Sequence, residues 1–379
     1  PGIVTDVVDD GKGATVVVKT EMPLQVGDKL CFDPETELLT RRSWKRVADI
    51  TWEDELATLN PATDELEWRT PDALHDYEHV GDMYQLQTKH VDMLVTPEHD
   101  LWVARPGQAY RKVTAKDFYN AKGEWQFKKD CNWAGREQNI FTPPAYTSHN
   151  SRDNELPVAV SMATWLEFLG YYIAEGRKCR TTSGGWQVQI SQFVTSPHWQ
   201  AIADCLTALP VRWAYNDDAN RFEINSKHLW HAVDDCGDSA YTKRVPGYVQ
   251  ALAPRQLRIF FFAYMDGDGH RGASWEYGTS SAQLSFDLEV VLLKIGWCGS
   301  SRLLERDDNF QKNPHWRTRV NRKHLRPWWK KHRAKCYDSV TEGMVPYSGR
   351  VYCVTAANHL VYAKRGGKSY WSGNSGRYG

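Results

Sequence analysis

Apolar and polar residues follow two different periods along this chain of 379 residues. Between residues 31 and 144 the pattern is strand-like and interrupted by turns. Tyr84, Leu86 and Thr88, for example, alternate with polar neighbours, which is the period of two expected of a half-buried strand. This part of the chain is therefore predicted to be an all-β unit.

From residue 158 onwards, apolar residues recur at helical spacing instead. One predicted helix ends at Glu175-Gly176, and a second one ends at Asp268-Gly269. The two helices align at a constant offset of 93 residues, and residues 225–229 align with 321–325 at an offset of 96. Residues 158–336 are therefore predicted to be an internal duplication with pseudo-two-fold symmetry and the order α-β-β-α-β-β-α in each half.

Each of these helices carries small residues four positions apart, which are Gly170 with Ala174 and Ala263 with Gly267. Such helices can cross closely, which would bring Glu175 and Asp268 together. Two neighbouring carboxylates repel each other unless a cation lies between them. Mg²⁺ binds one or two carboxylates together with phosphate oxygens and water. The pattern thus predicts a Mg²⁺ site at these acids, and the alternative is that each acid merely ends its own helix.

Charge is distributed unevenly, although 47 basic and 47 acidic residues cancel over the chain. Residues 31–100 hold 17 acidic and 6 basic residues, a net charge of −11. Residues 301–335 hold 12 basic and 3 acidic residues, a net charge of +9, with tryptophans at 316, 328 and 329. A basic stretch with interleaved aromatic residues is typical of nucleic-acid contact, and also of an ordinary solvated face.

Cysteine usage and hydropathy indicate the compartment. The 8 cysteines occur singly, which fits a reducing, cytoplasmic environment. The sequence holds no apolar run of about 18 residues, so no membrane helix is expected. The first residues lack the basic and apolar parts of a signal peptide. We expect a monomer.

The segments FLGYYIAEG (168–176) and FFAYMDGDG (261–269) resemble the LAGLIDADG motifs of homing endonucleases. The resemblance covers about half of the chain and implies an α+β domain whose two β-sheets form a saddle on the DNA major groove. It implies that double-stranded DNA is the substrate, that Glu175 and Asp268 hold Mg²⁺, and that Lys227 and Lys323 polarise the attacking water. Binding to DNA should then weaken as the salt concentration rises.

Four further segments resemble, in the right order, the splicing blocks of inteins. They are CFDPETELLT from Cys31, Thr96 to His99, Val351 to Ala363 with Cys353 and His359, and Asn374-Ser375. The resemblance implies an all-β Hint (horseshoe) splicing domain that the endonuclease interrupts. The expected boundaries are flanks at 1–30 and 375–379, splicing-domain parts at 31–145 and 337–374, and an endonuclease at 146–336 with repeats at 158–236 and 254–336.

The chemistry expected of these residues is autocatalytic. Cysteine is a good nucleophile near neutral pH, so Cys31 is expected to attack the carbonyl of Leu30. His99 would protonate the departing amine while Thr96 steadies the oxyanion. The hydroxyl of Ser375 would then accept the acyl group, after which cyclisation of Asn374 releases residues 31–374 and joins the flanks.

The flanks suggest a host, and one position departs from the intein pattern. QVGDKL joined to SGRYG resembles a stretch of the RNA polymerase β subunit, so the host protein would be a partner in cis. Gly373 stands where a histidine usually precedes the terminal asparagine, so His359 is expected to carry more of the activation of Asn374.

Two alternative functions stay open. One is a homing endonuclease whose splicing module is inactive, which would remain at its full mass of 43.5 kDa. The other is a polymerase-subunit fragment with an inert insert, which would neither splice nor cut DNA.

Overall fold

The computed structural model describes residues 2–9, 14–20, 31–144, 158–304, 315–330 and 340–374. The helices are α1 (Ala115–Asn120), α2 (Met162–Glu175), α3 (Trp199–Ala208), α4 (Lys227–Ala232), α5 (Gly247–Gln250), α6 (Pro254–Gly267) and α7 (Ala282–Lys294). The strands up to residue 141 are β1 (Gly2–Asp9), β2 (Ala14–Thr20), β3 (Glu37–Leu39), β4 (Trp44–Arg46), β5 (Leu56–Leu59), β6 (Leu66–Arg69), β7 (Pro71–Gln87), β8 (Asp92–Val95), β9 (Asp100–Ala104), β10 (Arg111–Thr114), β11 (Glu124–Phe127) and β12 (Ile140–Phe141). The later strands are β13 (Val160–Ser161), β14 (Gly176–Arg180), β15 (Trp186–Ser191), β16 (Trp213–Asn216), β17 (Arg221–Ile224), β18 (Gly269–Arg271), β19 (Trp275–Thr279), β20 (Cys298–Leu304), β21 (His315–Asn321), β22 (Trp328–Lys330), β23 (Thr341–Ala356), β24 (Leu360–Arg365) and β25 (Lys368–Gly373).

The sheet unit, which comprises β3–β11, α1 and β22–β25, contains a ten-stranded sheet. Its main order is β22-β11-β9-β25-β24-β3-β4, with β10 paired to β9, β5 paired to β24 and β6 paired to β5. The last strand of the chain, β25, therefore lies between β24 and a strand from the first third of the chain. The predicted all-β pattern is interrupted by α1, where the Thr114 side chain caps the helix by accepting a hydrogen bond from the amide of Asp117.

Within the sheet unit, β23, β7 and β8 form a long antiparallel ribbon. Strand β23 pairs with β7 along almost its whole length, and β8 pairs with the end of β7. Tyr84 and Leu86 are fully buried, whereas Gln87 is exposed, so the alternation predicted from the sequence is confirmed. Further along the ribbon, Val351 and Cys353 pack in one apolar cluster with Cys31.

The duplicated unit, which comprises β12–β21 and α2–α7, repeats one topology. The first half contains α2-β14-β15-α3-β16-β17, and the second contains α6-β18-β19-α7-β20-β21. The sheet orders also match, since they are β14-β15-β17-β16 and β18-β19-β21-β20. Both halves therefore have the element order expected from the aligned segments, up to the sixth element.

Helices α2 and α6 cross with their backbones in close contact. A β-carbon added at Gly170 would lie 2.5 Å from the β-carbon of Ala263 and 2.6 Å from the carbonyl oxygen of Phe260. A β-carbon at Gly267 would lie 2.5 Å from that of Ala174. The small residues are thus required by the approach of the two helices, as predicted.

The second half differs from the first after β21. Helix α4 follows β17 in the first half, whereas the described residues 322–330 form no helix and instead add β22 to the sheet unit, paired with β11. The prediction of a final helix is therefore wrong for these residues. Pro327 lacks a backbone N–H and disfavours a helix. The side chain of Trp329 is instead buried in the core of the sheet unit.

Helix α7 connects the two units because opposite sides of it are buried in different cores. Leu288 and Leu292 belong to the core of the duplicated unit. Phe286 packs instead with residues of the sheet unit. The indole of Trp44 in β4 also donates a 2.9 Å hydrogen bond to the carboxylate of Glu289. The two units thus share a packed interface.

The helix crossing yields a stability prediction. Gly170→Ala should lower the free energy of unfolding by about 1–3 kcal/mol, because the new methyl group overlaps the backbone of α6. Gly247→Ala is the matched control, since a β-carbon there meets no atom within 4 Å. Urea denaturation monitored by tryptophan fluorescence measures both variants, and equal effects of the two substitutions would contradict the close crossing.

Candidate active sites

Cys31 is fully buried, and both its amide and its carbonyl group form hydrogen bonds with Thr96. The Cys31 amide donates a 3.1 Å hydrogen bond to Thr96 Oγ1. The Thr96 amide donates a 3.0 Å hydrogen bond to the Cys31 carbonyl. These contacts fix the nitrogen of the Leu30–Cys31 bond against a hydroxyl, although Leu30 itself lies outside the described residues.

The Cys31 thiol contacts a residue that the motif comparison did not identify. Its sulfur lies 2.7 Å from the hydroxyl of Tyr77, which comes from β7. Burial, followed by the charge of Cys31, raises the pKa of Tyr77 above its ordinary value. The phenol therefore stays protonated and can donate a hydrogen bond to a thiolate. No sequence signal marks Tyr77, because only the long-range pairing of the ribbon places it here.

His99 is fully buried and contacts an early and a late segment of the chain. Its ring packs edge-on against Phe32 at 4.4 Å between centroids. Its Nε2 lies 2.8 Å from the hydroxyl of Ser372 in β25. Thr96 contacts the Cys31 nitrogen, and His99 contacts the strand that leads to Asn374. Proton donation by His99 stays a prediction, and Ser372 is a further contact that the motifs did not identify.

Asn374 is fully buried at the end of β25. Its backbone amide donates a 3.0 Å hydrogen bond to the carbonyl of His359. In the amide orientation that satisfies both partners, Oδ1 accepts from the amide of Ala356 at 3.0 Å and Nδ2 donates to the carbonyl of His359 at 3.3 Å. His359 thus meets Asn374 through its backbone, while its residue is exposed. Ser375 lies outside the described residues.

The turn before β24 aims the His359 carbonyl at Asn374. Asn358 and His359 have φ angles of 71° and 51°, which side-chain-bearing residues rarely adopt. The Asn358 side chain donates a 3.0 Å hydrogen bond to Glu67. Hydrogen bonds from Asn60, Asn358 and Arg69 lower the pKa of Glu67 to about 2. A carboxylate that stays ionised therefore anchors this turn.

The predicted metal-binding acids lie at the ends of the crossing helices α2 and α6. Part of Asp268 is exposed to solvent, yet the protein atoms around its carboxylate and the nearby charge of Glu175 raise its pKa to about 8. Burial likewise raises the pKa of Glu175. The described residues contain no group of three or more His, Cys, Asp or Glu that could hold a metal. Two mutually repelling carboxylates fit Mg²⁺, which takes its other ligands from phosphate and water.

Lys243, which the motif resemblance does not include, lies close enough to both acids for its charge to act on them. Its charge lowers the pKa of Glu175 and of Asp268, against the larger effect of burial. Its Nζ donates a 2.7 Å hydrogen bond to the Tyr172 carbonyl in the last turn of α2. Burial lowers the pKa of Lys243 itself to about 8. It lies in a segment without periodicity, so only the tertiary structure reveals it.

The two lysines carried over from the endonuclease resemblance lie just after β17 and just after β21. Lys227 is the first residue of α4, and its Nζ lies 5.1 Å from the ring centroid of Trp186. Lys323 follows β21 and is exposed. A role for either in water activation stays a prediction.

Part of the basic stretch 301–335 is engaged within the chain. Arg319 contacts Glu276 at 3.2 Å, Arg326 contacts Asp130 at 3.1 Å, and Lys330 pairs with Glu124. Trp328 is 49% exposed, whereas Trp329 is 8% exposed. Residues 305–314 and 331–335 lie outside the described residues, so the predicted phosphate contacts there stay a prediction. Among the described residues, no helix is both long and apolar enough to span a membrane.

Comparison with known proteins gives partial matches, and no family model matches the chain. The chain is 26% identical over 289 residues to the ATP-dependent Clp protease proteolytic subunit of Chlamydomonas moewusii, covering 72% of this chain and 28% of that protein. It is 24% identical over 402 residues to the DNA-directed RNA polymerase subunit beta C-terminal section of Stigeoclonium helveticum, covering 91% and 36%. The chain thus spans only 28% to 36% of the length of these curated relatives.

Solved structures that resemble the chain do so at low identity. I-DmoI in complex with its target DNA in the presence of Mg is 14% identical, with a TM-score of 0.33 over 42% of this chain and 89% of that one. The AceL NrdHF class 3 split intein is 13% identical, with a TM-score of 0.24 over 53% and 99%. The homing endonuclease I-WcaI bound to its DNA recognition sequence is 10% identical, with a TM-score of 0.25 over 42% and 76%.

The raised pKa of Asp268 yields a prediction for stability against pH. Its unfolded pKa is about 4, so between about pH 4 and pH 8 the folded state retains a proton that the unfolded state has released. Without metal, stability should therefore fall as pH rises through this window, and Asp268→Asn should flatten the slope. Thermal unfolding in a chelating buffer measures this, with exposed Asp218→Asn as control. An unchanged slope in Asp268→Asn would rule out this source.

Proposed function

We propose that residues 31–374 form an intein that excises itself and joins Leu30 to Ser375, and that an inserted domain at 146–336 is a metal-dependent DNA endonuclease. The observation that carries the splicing proposal is the position of the segment from Thr96 to His99. Thr96 hydrogen-bonds the Cys31 peptide, and His99 hydrogen-bonds Ser372, two residues before Asn374. One short segment therefore contacts both proposed reaction ends.

The proposed reaction conserves atoms at every step. The Cys31 sulfur attacks the Leu30 carbonyl and the carbon–nitrogen bond breaks; the proton lost by the thiol is balanced by the one that His99 gives to the departing Cys31 nitrogen, which Thr96 holds in place. Tyr77 stabilises the sulfur while it carries negative charge. The Ser375 hydroxyl then takes the acyl group from sulfur, and cyclisation of Asn374 releases a free amine at residue 375. Transfer of the acyl group from the Ser375 oxygen to that amine joins the flanks. Holding both ends in one folded unit can contribute about 7–11 kcal/mol to such steps.

The curated relatives support an inserted segment. A protease subunit and a polymerase subunit have unrelated activities. Their alignments cover 72% and 91% of this chain, so more than half of the chain is aligned with both proteins. A segment common to two such proteins is better explained as an insert than as part of either activity. The flanks QVGDKL and SGRYG favour an RNA polymerase β subunit as the host in this case.

The endonuclease proposal rests on the duplicated unit and its acid pair. Glu175 and Asp268 lie at the ends of the two crossing helices and would hold Mg²⁺. The bound ion would polarise a phosphate oxygen and make a bound water more acidic. Lys243 would offset part of the negative charge between the acids.

Substitution of the terminal asparagine tests splicing. Asn374→Ala should abolish cleavage before residue 375, because no side-chain amide remains to attack the carbonyl. Thiol-induced cleavage after Leu30 should persist in this variant, and Cys31→Ala should show the reverse pattern. Gel analysis of precursors with longer flanks measures both. Release of the C-terminal flank by Asn374→Ala would contradict the assignment.

Substitution of the acid pair tests the nuclease. Glu175→Gln and Asp268→Asn should each abolish Mg²⁺-dependent cutting of DNA that carries the uninterrupted host site, while gel-shift binding to that DNA persists. Plasmid linearisation measures cutting, and Asp218→Asn, an exposed carboxylate, is the matched control. Cutting by both acid variants, or cutting in the presence of a chelator, would contradict the proposed metal site.

A further inference from the structure

Lys112 reaches the carbonyl group that cyclisation of Asn374 would attack. Its Nζ donates a 3.4 Å hydrogen bond to the main-chain carbonyl oxygen of Asn374. This oxygen belongs to the bond between Asn374 and Ser375. The ammonium also lies 3.9 Å from the carboxylate of Asp100, which is largely buried and offsets its charge. Lys112 belongs to β10, which pairs with β9 next to β25.

Gly373 leaves no room for a side chain that could serve the same carbonyl. A β-carbon at Gly373 would lie 2.5 Å from both the β-carbon and the carbonyl oxygen of Asp100. These are backbone-proximal atoms of a central strand, so any larger residue requires β9 to move. The histidine that usually precedes the terminal asparagine of an intein therefore has no space here. A donor to the Asn374 carbonyl has to come from another element.

His359 meets Asn374 in a different way. Its carbonyl oxygen accepts hydrogen bonds from the Asn374 backbone amide at 3.0 Å and from Nδ2 at 3.3 Å. A carbonyl can orient the attacking amide, but it cannot donate a proton or a positive charge to the Asn374 oxygen. The two contacts thus divide the task between positioning of Nδ2 and polarisation of the carbonyl.

We propose that Lys112 is a catalytic residue of C-terminal cleavage and takes the place of the missing histidine; this rests on the proposed splicing function. As Asn374 Nδ2 bonds to its own main-chain carbonyl carbon, negative charge develops on the oxygen and is stabilised by the Lys112 ammonium. The bond from that carbon to the Ser375 nitrogen then breaks. One proton moves from Nδ2 to the departing nitrogen, so the products are a succinimide and a free amine.

The surroundings of Lys112 suit this role. A hydrogen bond from an ammonium to a developing oxyanion is stronger than one between neutral groups, and such bonds are often long before the transition state forms. Lys112 borders an open cavity of about 430 Å³, lined also by Arg111, Thr114 and Asp117. Its ammonium can therefore move the short distance that brings it closer to the oxygen. Loss of one oxyanion donor typically slows a reaction by about 100-fold or more.

The test compares two reactions of one precursor with longer flanks. Lys112→Met should slow cleavage before residue 375 by about 100-fold, while thiol-induced cleavage after Leu30 stays unchanged and the precursor remains folded. Lys112→Arg, which keeps a positive charge, should restore most of the rate. Lys116→Met is the matched control, because Lys116 is exposed on the neighbouring helix α1. Gel densitometry gives both rates, and mass spectrometry identifies the succinimide.

The outcomes separate this inference from the proposed function. Normal C-terminal cleavage by Lys112→Met, in a chain whose unchanged form cleaves, would overturn the role of Lys112 alone. An equal loss of both cleavages would also overturn it, since Lys112 would then act on folding rather than on the Asn374 carbonyl. Failure of the unchanged precursor to cleave at either end would overturn the proposed splicing function and this inference with it.

Discussion

The insertion of strand β25 between β24 and β9 is the constraint on which both ends of the sheet unit depend. This strand comes from the end of the chain, whereas β9 comes from its first third. The pairing places Ser372 opposite Leu101, against His99, and leaves Asn374 buried beside the turn at His359. Without this pairing, the segment from Thr96 to His99 would contact Cys31 but not the strand that leads to Asn374. A backbone ladder, rather than a particular side chain, therefore builds the site.

The same ladder explains why glycine occupies position 373. The carbonyl oxygen and β-carbon of Asp100 fill the space where a side chain would lie, so the close packing of β25 on β9 has a chemical consequence. It removes one means of activating Asn374 and brings β10, with Lys112, within reach of the same carbonyl. Packing thus connects the two features, because β9, which leaves no room for a side chain at residue 373, also pairs with the strand that carries Lys112, the donor proposed above.

The duplicated unit is built on a second close approach, the crossing of α2 and α6. The absence of side chains at Gly170 and Gly267 lets the helix backbones touch. The crossing brings two like charges together at the helix ends, which opposes folding when both are ionised. Lys243 relieves part of this repulsion from a buried position. The Mg²⁺ proposed above would relieve the same repulsion if it bound between the two acids.

Local sequence patterns predicted a good part of this molecule. The repeat order and the helix crossing followed from spacing and residue size, because these depend on contacts within one element or between two aligned ones. Tyr77, Lys112, Lys243 and Ser372 carried no such signal, since each reaches its partner only through the tertiary fold. The pairing of β22 was missed for the same reason. Its tryptophans looked like a surface for nucleic acid, yet Trp329 completes the core of the other unit.

The most direct measurement is the mass spectrum of the products that form when the chain is expressed between two longer, distinguishable flanking proteins. The account predicts a ligated product in which Leu30 is followed directly by Ser375, together with a free fragment of residues 31–374 that ends in a succinimide or its hydrolysis product. Recovery of only the intact precursor, or of separate flanks that are never joined, would contradict the account.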